Sequence, residues 1–278
     1  MQSITQIGID TVEAPTLSKH APYLPGAEPF FFLGGDTGCL CLHGFTATPS
    51  EVRWLGEYLR DCGCTVYGQR LAGHGTDPTH LARTTWLDWY ASALDGYHLL
   101  RQTCRRIVLI GHSMGGLLAL LLATEVETAG VAALATPLRF TSRAIANARW
   151  LKYPLPYSMQ PDLSALPQVV REEQARRGEA VRGRVRYDRW SSAAVGELYA
   201  LSRYTETQLA QVTAPLLLVY SQADTTAVVA QGDYIAAAVS SQNIRRHVLQ
   251  HSGHILTQDV EREQVFTWVA DFVAAVAK

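Results

Sequence analysis

The chain has 278 residues, of which 47% are hydrophobic and 18% charged, and its formal net charge is −1. This length buries a substantial core in one large domain or in one domain with an insertion, and the composition is typical of a globular protein. The balanced charge lacks the basic excess of a nucleic-acid-binding surface. The longest apolar run, residues 117–123, is too short to cross a bilayer. We therefore predict no nucleic-acid partner and no stable membrane insertion.

The cysteines and the N-terminal residues indicate whether the protein binds a metal and in which compartment it is found. The chain has five cysteines, an odd number, with two C-x-C pairs and no C-x-x-C pair: Cys39, Cys41, Cys62, Cys64 and Cys104. These spacings do not match the usual zinc patterns, so we interpret the cysteines as buried small hydrophobes in a reducing compartment and predict no metal. Residues 1–30 lack the basic start and apolar core of a secretory signal, which predicts a cytoplasmic protein.

The first half of the chain alternates between strand and helix patterns. In order, the pattern predicts a strand over residues 38–42, a helix over 49–61, a strand over 64–67, a helix over 85–103 and a strand and helix on either side of Ser113. In the first helix, Val52, Leu55 and Leu59 recur at helical spacing, with Ser50 as the candidate N-cap. The order βαβαβα predicts an α/β fold with a mostly parallel sheet covered by helices on both faces.

The second half interrupts this alternation. After a strand over residues 130–134, residues 137–213 become rich in Arg, Pro and aromatic side chains, which indicates an insertion. Strands then resume over residues 215–220 and 244–249, and a closing helix follows from about Val260. We predict a core made of residues 1–136 and 214–278, carrying residues 137–213 as an inserted segment.

The stretch Ile107–Leu120 reads IVLIGHSMGGLLAL and places Ser113 between a strand pattern and a helix pattern. A turn this sharp crowds the backbone, so Gly111 and Gly115 stand where a Cβ would collide with a neighbouring element. This is the G-x-S-x-G nucleophile elbow, which predicts Ser113 as a nucleophile. A serine hydroxyl is a weak nucleophile, so a base, an acid and oxyanion donors must lie elsewhere in the chain.

The loops after the later strands supply the acid and the base, because sites in parallel sheets gather at the carboxyl ends of strands. Asp224 follows the strand over residues 215–220 and is the predicted acid; Asp233 and Asp259 are the alternatives. Two histidines follow the next strand. His254 is the predicted base because Ser-Gly gives it a flexible approach, whereas His251 comes directly after the strand.

Two backbone N–H groups are predicted to form the oxyanion hole. One is that of Met114, the residue after the nucleophile, and the other is that of Phe45, in the HGF sequence after the first strand. A plain glycine turn is the alternative interpretation of HGF. We interpret His43 as a structural, hydrogen-bonded histidine and His74 as part of a loop near the site, without a catalytic role.

Several motifs together resemble bacterial carboxylesterases and monoacylglycerol lipases of the α/β-hydrolase superfamily: LHGFTATPSEVRWLGEYL, LAGHGTDP, TTWLDWY, GHSMGGLLAL, SQAD and HSGH. The resemblance spans most of the chain outside the insertion. It implies the same triad and oxyanion donors, and it implies that residues 137–213 form a small cap over the site. The cap carries apolar side chains that either line an acyl pocket or only pack the cap. The predicted substrate-binding residues are Phe140, Ile145, Trp150, Leu151 and Tyr153.

These features predict a cofactor-independent serine hydrolase that cleaves a small-molecule carboxylic ester through an acyl-enzyme. The cap composition and the family resemblance favour short- to medium-chain acyl esters, with monoacylglycerols accepted. Thioester hydrolysis and acyl transfer use the same triad and remain alternatives, and a catalytically silent lipid carrier is the alternative outside enzymes.

Overall fold

The structure is a computed structural model, which describes residues 23–140, 142–160 and 164–278. The predicted core residues 1–22 lie outside this range. In chain order the described elements are β1 (Phe30–Phe32), β2 (Thr37–Leu42), α1 (Ser50–Asp61), β3 (Thr65–Gln69), α2 (Pro78–Leu81), α3 (Trp86–Arg101), β4 (Arg106–His112), α4 (Met114–Leu122), β5 (Gly130–Leu134), α5 (Arg143–Ala146), α6 (Ala148–Leu151), β6 (Tyr157–Met159), α7 (Leu166–Arg176), β7 (Arg189–Ser191), α8 (Ser192–Gln208), β8 (Leu216–Ser221), α9 (Val229–Ala238), β9 (Ile244–Leu249) and α10 (Arg262–Val276). A short 3-10 helix, Leu209–Gln211, follows α8.

The main sheet has seven strands in the order β1-β3-β2-β4-β5-β8-β9. The pair β1 and β3 is antiparallel, and each of the other neighbouring pairs is parallel. In the centre, Gly111 of β4 is level with Leu42 of β2, and His112 is level with Leu134 of β5. The carboxyl ends of these strands therefore open onto one edge, which confirms the predicted mostly parallel α/β sheet.

Helices cover both faces of the sheet because its strands are apolar on both sides. Helix α1 packs against α10 on one face, and α3 packs against α4 on the other. The central strand β4 is buried from Ile107 onward, and α4 is buried along its whole length. Trp89, Phe272 and Leu40 are among the largest fully buried side chains. This two-sided core holds the carboxyl end of β4 in place.

Residues 137–213 leave the sheet after β5 and return to it at β8. They contain α5 to α8 and a two-stranded antiparallel sheet of β6 and β7. Helix α8 packs against α3, α4, α5 and α6, so it connects this segment to the core. We refer to residues 137–213 as the inserted segment.

Two local details differ from the sequence predictions. Ser50 is the first residue of α1 and not its N-cap; its hydroxyl lies 2.8 Å from that of Thr48, and Pro49 precedes the helix without a side-chain capping bond. Strand β1 was not predicted, because three residues are too few for a recognisable alternation. It adds to the sheet through its pairing with β3, a tertiary contact.

Candidate active site

Ser113 lies between β4 and α4 in a strained conformation, with φ 53° and ψ −118°. The two glycines of the elbow allow this turn. A Cβ at Gly111 would lie 2.0 Å from the carbonyl oxygen of Gly115, and a Cβ at Gly115 would lie 2.2 Å from the carbonyl oxygen of Leu42. Both positions therefore exclude a side chain. The turn presents Ser113 beyond the carboxyl end of the sheet, with its side chain on the cleft.

Three side chains from separate loops form a hydrogen-bonded row. His254 Nε2 lies 2.8 Å from Ser113 Oγ, and His254 Nδ1 lies 2.8 Å from Asp224 Oδ2. An ionised carboxylate only accepts, so Nδ1 donates to Asp224 and Nε2 is free to accept the serine proton. The structure thus brings together Ser113, Asp224 and His254, which the sequence order placed after β4, β8 and β9.

Asp224 is almost completely buried and remains the acidic member of this row. Burial raises the pKa of its carboxyl group, but the contact with His254 and the N–H groups of Thr226 and Ala227 outweigh burial and lower it. Those two N–H groups donate to Oδ1 over 2.7 and 3.0 Å. They hold the carboxylate so that Oδ2 faces the imidazole.

The alternative acids and base occupy other positions. Asp233 forms an ion pair with Arg246 at the surface, and Asp259 accepts the N–H of Gly253 over 2.7 Å. His251 is exposed, and its backbone N–H donates to Glu261. Asp259 lies beside the site because its contact with Gly253 helps to shape the loop that carries His254.

The loop after β2 approaches Ser113 from the opposite side. A Cβ at Gly44 would lie 3.0 Å from Glu51 Oε1 and 3.3 Å from the Cβ of Ser113, so glycine lets the backbone pass close to the serine without a tight contact. His43 Nδ1 lies 2.8 Å from the carbonyl oxygen of Gly44, and its Nε2 accepts the N–H of Leu71 over 3.2 Å. His43 is therefore the Nδ1–H tautomer, and burial lowers its pKa to about 4, which keeps it neutral.

This contact orients the predicted oxyanion donor. The carbonyl of Gly44 and the N–H of Phe45 belong to one trans peptide and point in opposite directions. Because His43 holds the carbonyl, the Phe45 N–H points away from His43. Met114 begins α4, where the first N–H groups have no acceptor within the helix. The two predicted donors thus lie in the two backbone segments that flank Ser113.

Sequence reasoning missed a buried acid and a buried histidine next to Ser113. Glu51 and His112 are 4% and 0% exposed, and His112 Nδ1 lies 2.9 Å from Glu51 Oε1. A signal was present, since Glu51 lies four residues before Leu55 on the buried face of α1. His112 stood in the variable position of the elbow pattern, where the pattern itself makes no demand on the residue.

A cleft of about 1080 Å³ opens above the serine. Of the five cap candidates, Phe140 and Ile145 line it. The structure does not bring Trp150, Leu151 and Tyr153 to the cleft; Trp150 is 61% and Tyr153 76% exposed. The reason is the orientation of α6, which packs on α8 and buries Ala148 instead. Apolar lining that sequence reasoning missed comes from α7 and the β7–α8 region: Leu166, Val169, Trp190, Val195 and Leu198.

Two further findings concern the part of the chain that the structure describes. Among those residues, no group of three or more His, Cys, Asp or Glu side chains is arranged to hold a metal ion. No described helix combines the length and the apolar character needed to cross a membrane.

Comparison with known proteins agrees with this architecture. The family model described as Hydrolase_4, serine aminopeptidase S33, matches residues 36–261. A thermostable monoacylglycerol lipase from Bacillus sp. (strain H-257) is 32% identical over 259 residues, covering 93% of this chain and 98% of that protein. A carboxylesterase from Bacillus subtilis (strain 168) is 27% identical over 247 residues, covering 88% and 96%. A solved structure of metagenome-derived lipolytic enzymes has a TM-score of 0.81 at 27% identity, covering 91% of this chain and 100% of that chain.

The fold and the family match define the chain as an α/β-hydrolase. It belongs to the Hydrolase_4 family, which confirms the family resemblance stated from the motifs. The fold alone is also shared with a Paleococcus ferrophilus monoacylglycerol lipase, at a TM-score of 0.73 and 17% identity.

Proposed function

We propose that the chain is a carboxylic ester hydrolase that acts through an acyl-enzyme on Ser113. The observation that carries this proposal is the row of hydrogen bonds from Ser113 through His254 to Asp224. The similarity to a monoacylglycerol lipase and a carboxylesterase supports an ester as the substrate. Both relatives are matched along nearly their full length.

The reaction follows from the proton positions. His254 Nε2 accepts the proton as Ser113 Oγ attacks the ester carbonyl, and Asp224 stabilises the imidazolium that forms. The N–H groups of Phe45 and Met114 stabilise the oxyanion. His254 then gives its proton to the leaving alcohol. In the second half, His254 activates a water that attacks the acyl-enzyme, and Ser113 recovers its proton.

The lining of the cleft supports a substrate with one apolar and one polar part. Apolar side chains of the inserted segment, including Ile145, Val169 and Leu198, suit an acyl chain. Polar groups, including Gln160 and Arg186, also line the cleft. A monoacylglycerol combines these two features in one molecule. We accordingly assign residues 137–213 as a cap over residues 23–136 and 214–278, with short- to medium-chain monoacylglycerols as the preferred substrates.

The proposal is tested by labelling and by turnover. A fluorophosphonate probe is expected to label the wild type, and Ser113→Ala is expected to abolish labelling and to lower kcat by about 10⁵-fold or more while the circular dichroism stays unchanged. The substrates are p-nitrophenyl esters, monoacylglycerols and an acyl-CoA. Near-normal turnover of esters by Ser113→Ala would refute the nucleophile, and preference for the acyl-CoA would refute the ester.

A further inference from the structure

The buried pair of Glu51 and His112 connects two parts of the site. On one side, Glu51 Oε1 accepts the N–H of Gly44 over 2.8 Å, next to the peptide that carries the Phe45 donor. On the other side, His112 Nε2 lies 2.9 Å from the carbonyl oxygen of His254. The pair therefore connects the loop after β2 with the loop after β9, next to Ser113. The reaction described above uses neither side chain.

The contacts of His112 determine its protonation. The carbonyl of His254 can only accept, so Nε2 carries a proton. The guanidinium of Arg184 near Oε2 favours the ionised form of Glu51, and a carboxylate can only accept, so Nδ1 carries a proton as well. Both ring nitrogens donate, which makes His112 an imidazolium paired with a carboxylate.

The surroundings of the pair agree with this charge state. Burial raises the pKa of Glu51, but His112, Arg184 and the Gly44 N–H outweigh it and lower that pKa to about 2. Arg184 Nη2 lies 3.6 Å from Glu51 Oε2. Burial lowers the pKa of His112, and the contacts with Glu51 and the His254 carbonyl reverse this, so the pKa is raised overall. The charges thus compensate each other within the core.

We propose that Glu51 and His112 form a positioning pair that holds the oxyanion loop and the backbone of His254 in register around Ser113. The inference rests on the proposed function, because both held segments belong to the proposed catalytic machinery. The pair acts through the backbone of Gly44 and His254, to which its side chains are hydrogen-bonded. Its two protons are the essential feature, since one neutral imidazole cannot donate to both partners.

The variant Glu51→Gln replaces one carboxylate oxygen with an NH2 group, which removes the negative charge and adds a donor while keeping the size of the side chain. In one arrangement, the amide oxygen accepts hydrogen bonds from both the Gly44 N–H and the Nδ1–H of a neutral His112. The unprotonated Nε2 of His112 then faces the His254 carbonyl oxygen, and that hydrogen bond is lost. If His112 keeps its proton on Nε2, the amide nitrogen must take the place of Oε1 to face Nδ1, and the Gly44 N–H then loses its acceptor. In each arrangement at least one connection is weakened. The matched control is Glu57→Gln, which removes a carboxylate from the outer side of the same helix, where Glu57 pairs with Arg53 and Arg177.

The kinetic experiment compares the wild type, Glu51→Gln, His112→Gln and Glu57→Gln on one ester. A small displacement of catalytic groups costs up to about 100-fold in rate, and complete loss of one oxyanion donor costs about 10²- to 10³-fold. We expect kcat to fall about 10- to 100-fold in Glu51→Gln and His112→Gln, with KM little changed. Affinity for a trifluoromethyl ketone, which binds as an oxyanion, is expected to fall in parallel. Glu57→Gln is expected to retain the wild-type values.

Nitrogen-15 NMR of the histidine side chains tests the protonation directly. In the wild type at neutral pH, both nitrogens of His112 are expected to show protonated shifts, and His112→Gln assigns the signal. A neutral His112 in the wild type would overturn the proposal, and this measurement needs no folded Glu51 variant. Unchanged kcat and ketone affinity in a folded Glu51→Gln would overturn it too. Absence of ester turnover in the wild type would instead refute the proposed function, so the two failures are distinguishable.

Discussion

At the scale of single residues, the two histidines after β9 are expected to differ sharply in importance. His254 contacts both Ser113 and Asp224, whereas His251 is exposed. We expect His254→Ala to lower kcat about 10⁵-fold or more, as expected for loss of Ser113, because the serine then has no base. His251→Ala is the matched control and is expected to retain most activity in the same ester assay. The reverse ranking would exclude His254 as the base.

Asp224 is expected to act by setting the tautomer of His254. In Asp224→Asn the side-chain oxygen can keep the N–H groups of Thr226 and Ala227, which turns the amide nitrogen toward the imidazole. Because that nitrogen donates to Nδ1, the imidazole proton moves to Nε2. Nε2 can then no longer accept the proton of Ser113. We expect kcat to fall about 10⁴-fold. Asp233→Asn, which alters a surface ion pair, is the control, and equal losses in both would contradict this role.

At the scale of elements, the close approach of α4 to β2 makes the elbow intolerant of side chains. A Cβ at Gly115 meets the Leu42 carbonyl at 2.2 Å, so Gly115→Ala must displace the helix from the strand. We expect the free energy of unfolding to fall by at least about 2 kcal/mol, measured by urea unfolding. Gly253→Ala is the control because its Cβ would come no nearer than 3.5 Å to Asp259. Equal stability of the two variants would contradict this account of the elbow.

The position of the short helices in the inserted segment gives a prediction about acyl-chain length. Ile145 lines the cleft, so Ile145→Trp is expected to shorten the acyl pocket and shift the optimum of kcat/KM to shorter esters. Each methylene that no longer fits is expected to forfeit about 0.8 kcal/mol of transition-state binding. Trp150→Ala, on the outer surface, is the control and is expected to leave the profile unchanged. The measurement is kcat/KM from acetyl to palmitoyl esters, and a profile that only Trp150→Ala alters would refute this assignment of the cleft.

At the scale of the whole molecule, buried neutral histidines make stability depend on pH. Burial lowers the pKa of His43 from 6.5 to about 4, so the unfolded state binds a proton there that the folded state refuses. The neutral His43 therefore contributes its full stabilisation of the folded state above pH 6.5, and this contribution declines as the pH falls toward 4. We expect His43 to account for about 2 kcal/mol of lost unfolding free energy between pH 7 and pH 5. His74, whose pKa is also lowered by burial, acts in the same direction.

Urea unfolding at the two pH values tests this dependence with His43→Asn. The variant is expected to be less stable at pH 7 but to lose about 2 kcal/mol less than the wild type on acidification. His98→Asn, at an exposed site on α3, is expected to keep the wild-type slope. The raised pKa of His112 has the opposite effect on stability. Its contribution to the free energy of unfolding is complete below pH 6.5 and is lost as the pH rises through the pKa of the folded state. An unchanged slope in His43→Asn would show that His43 is not buried neutral.

The sequence by itself determined the fold class and the order of the site residues. Apolar runs of strand length alternate with helical periodicity, and a chain of this pattern buries its surfaces best as a parallel sheet between helices. Parallel strands align their carboxyl ends, so the sequence predicts that the residues after β4, β8 and β9 converge. The structure brings His254 within hydrogen-bond distance of both Ser113 and Asp224.

Only the tertiary structure decided which side chains face the cleft and which groups support it. Trp150 and Ile145 are both apolar and only five residues apart, but the docking of α6 on α8 turns Trp150 to solvent while Ile145 reaches the cleft. Glu51 looked like an ordinary acidic residue in a first helical turn. It is a buried partner of His112 because α1 packs that turn against the sheet, and a charge is stable there only with partners from β4 and the loop after β2. Such partners are distant in sequence, so local patterns carry no information about their meeting.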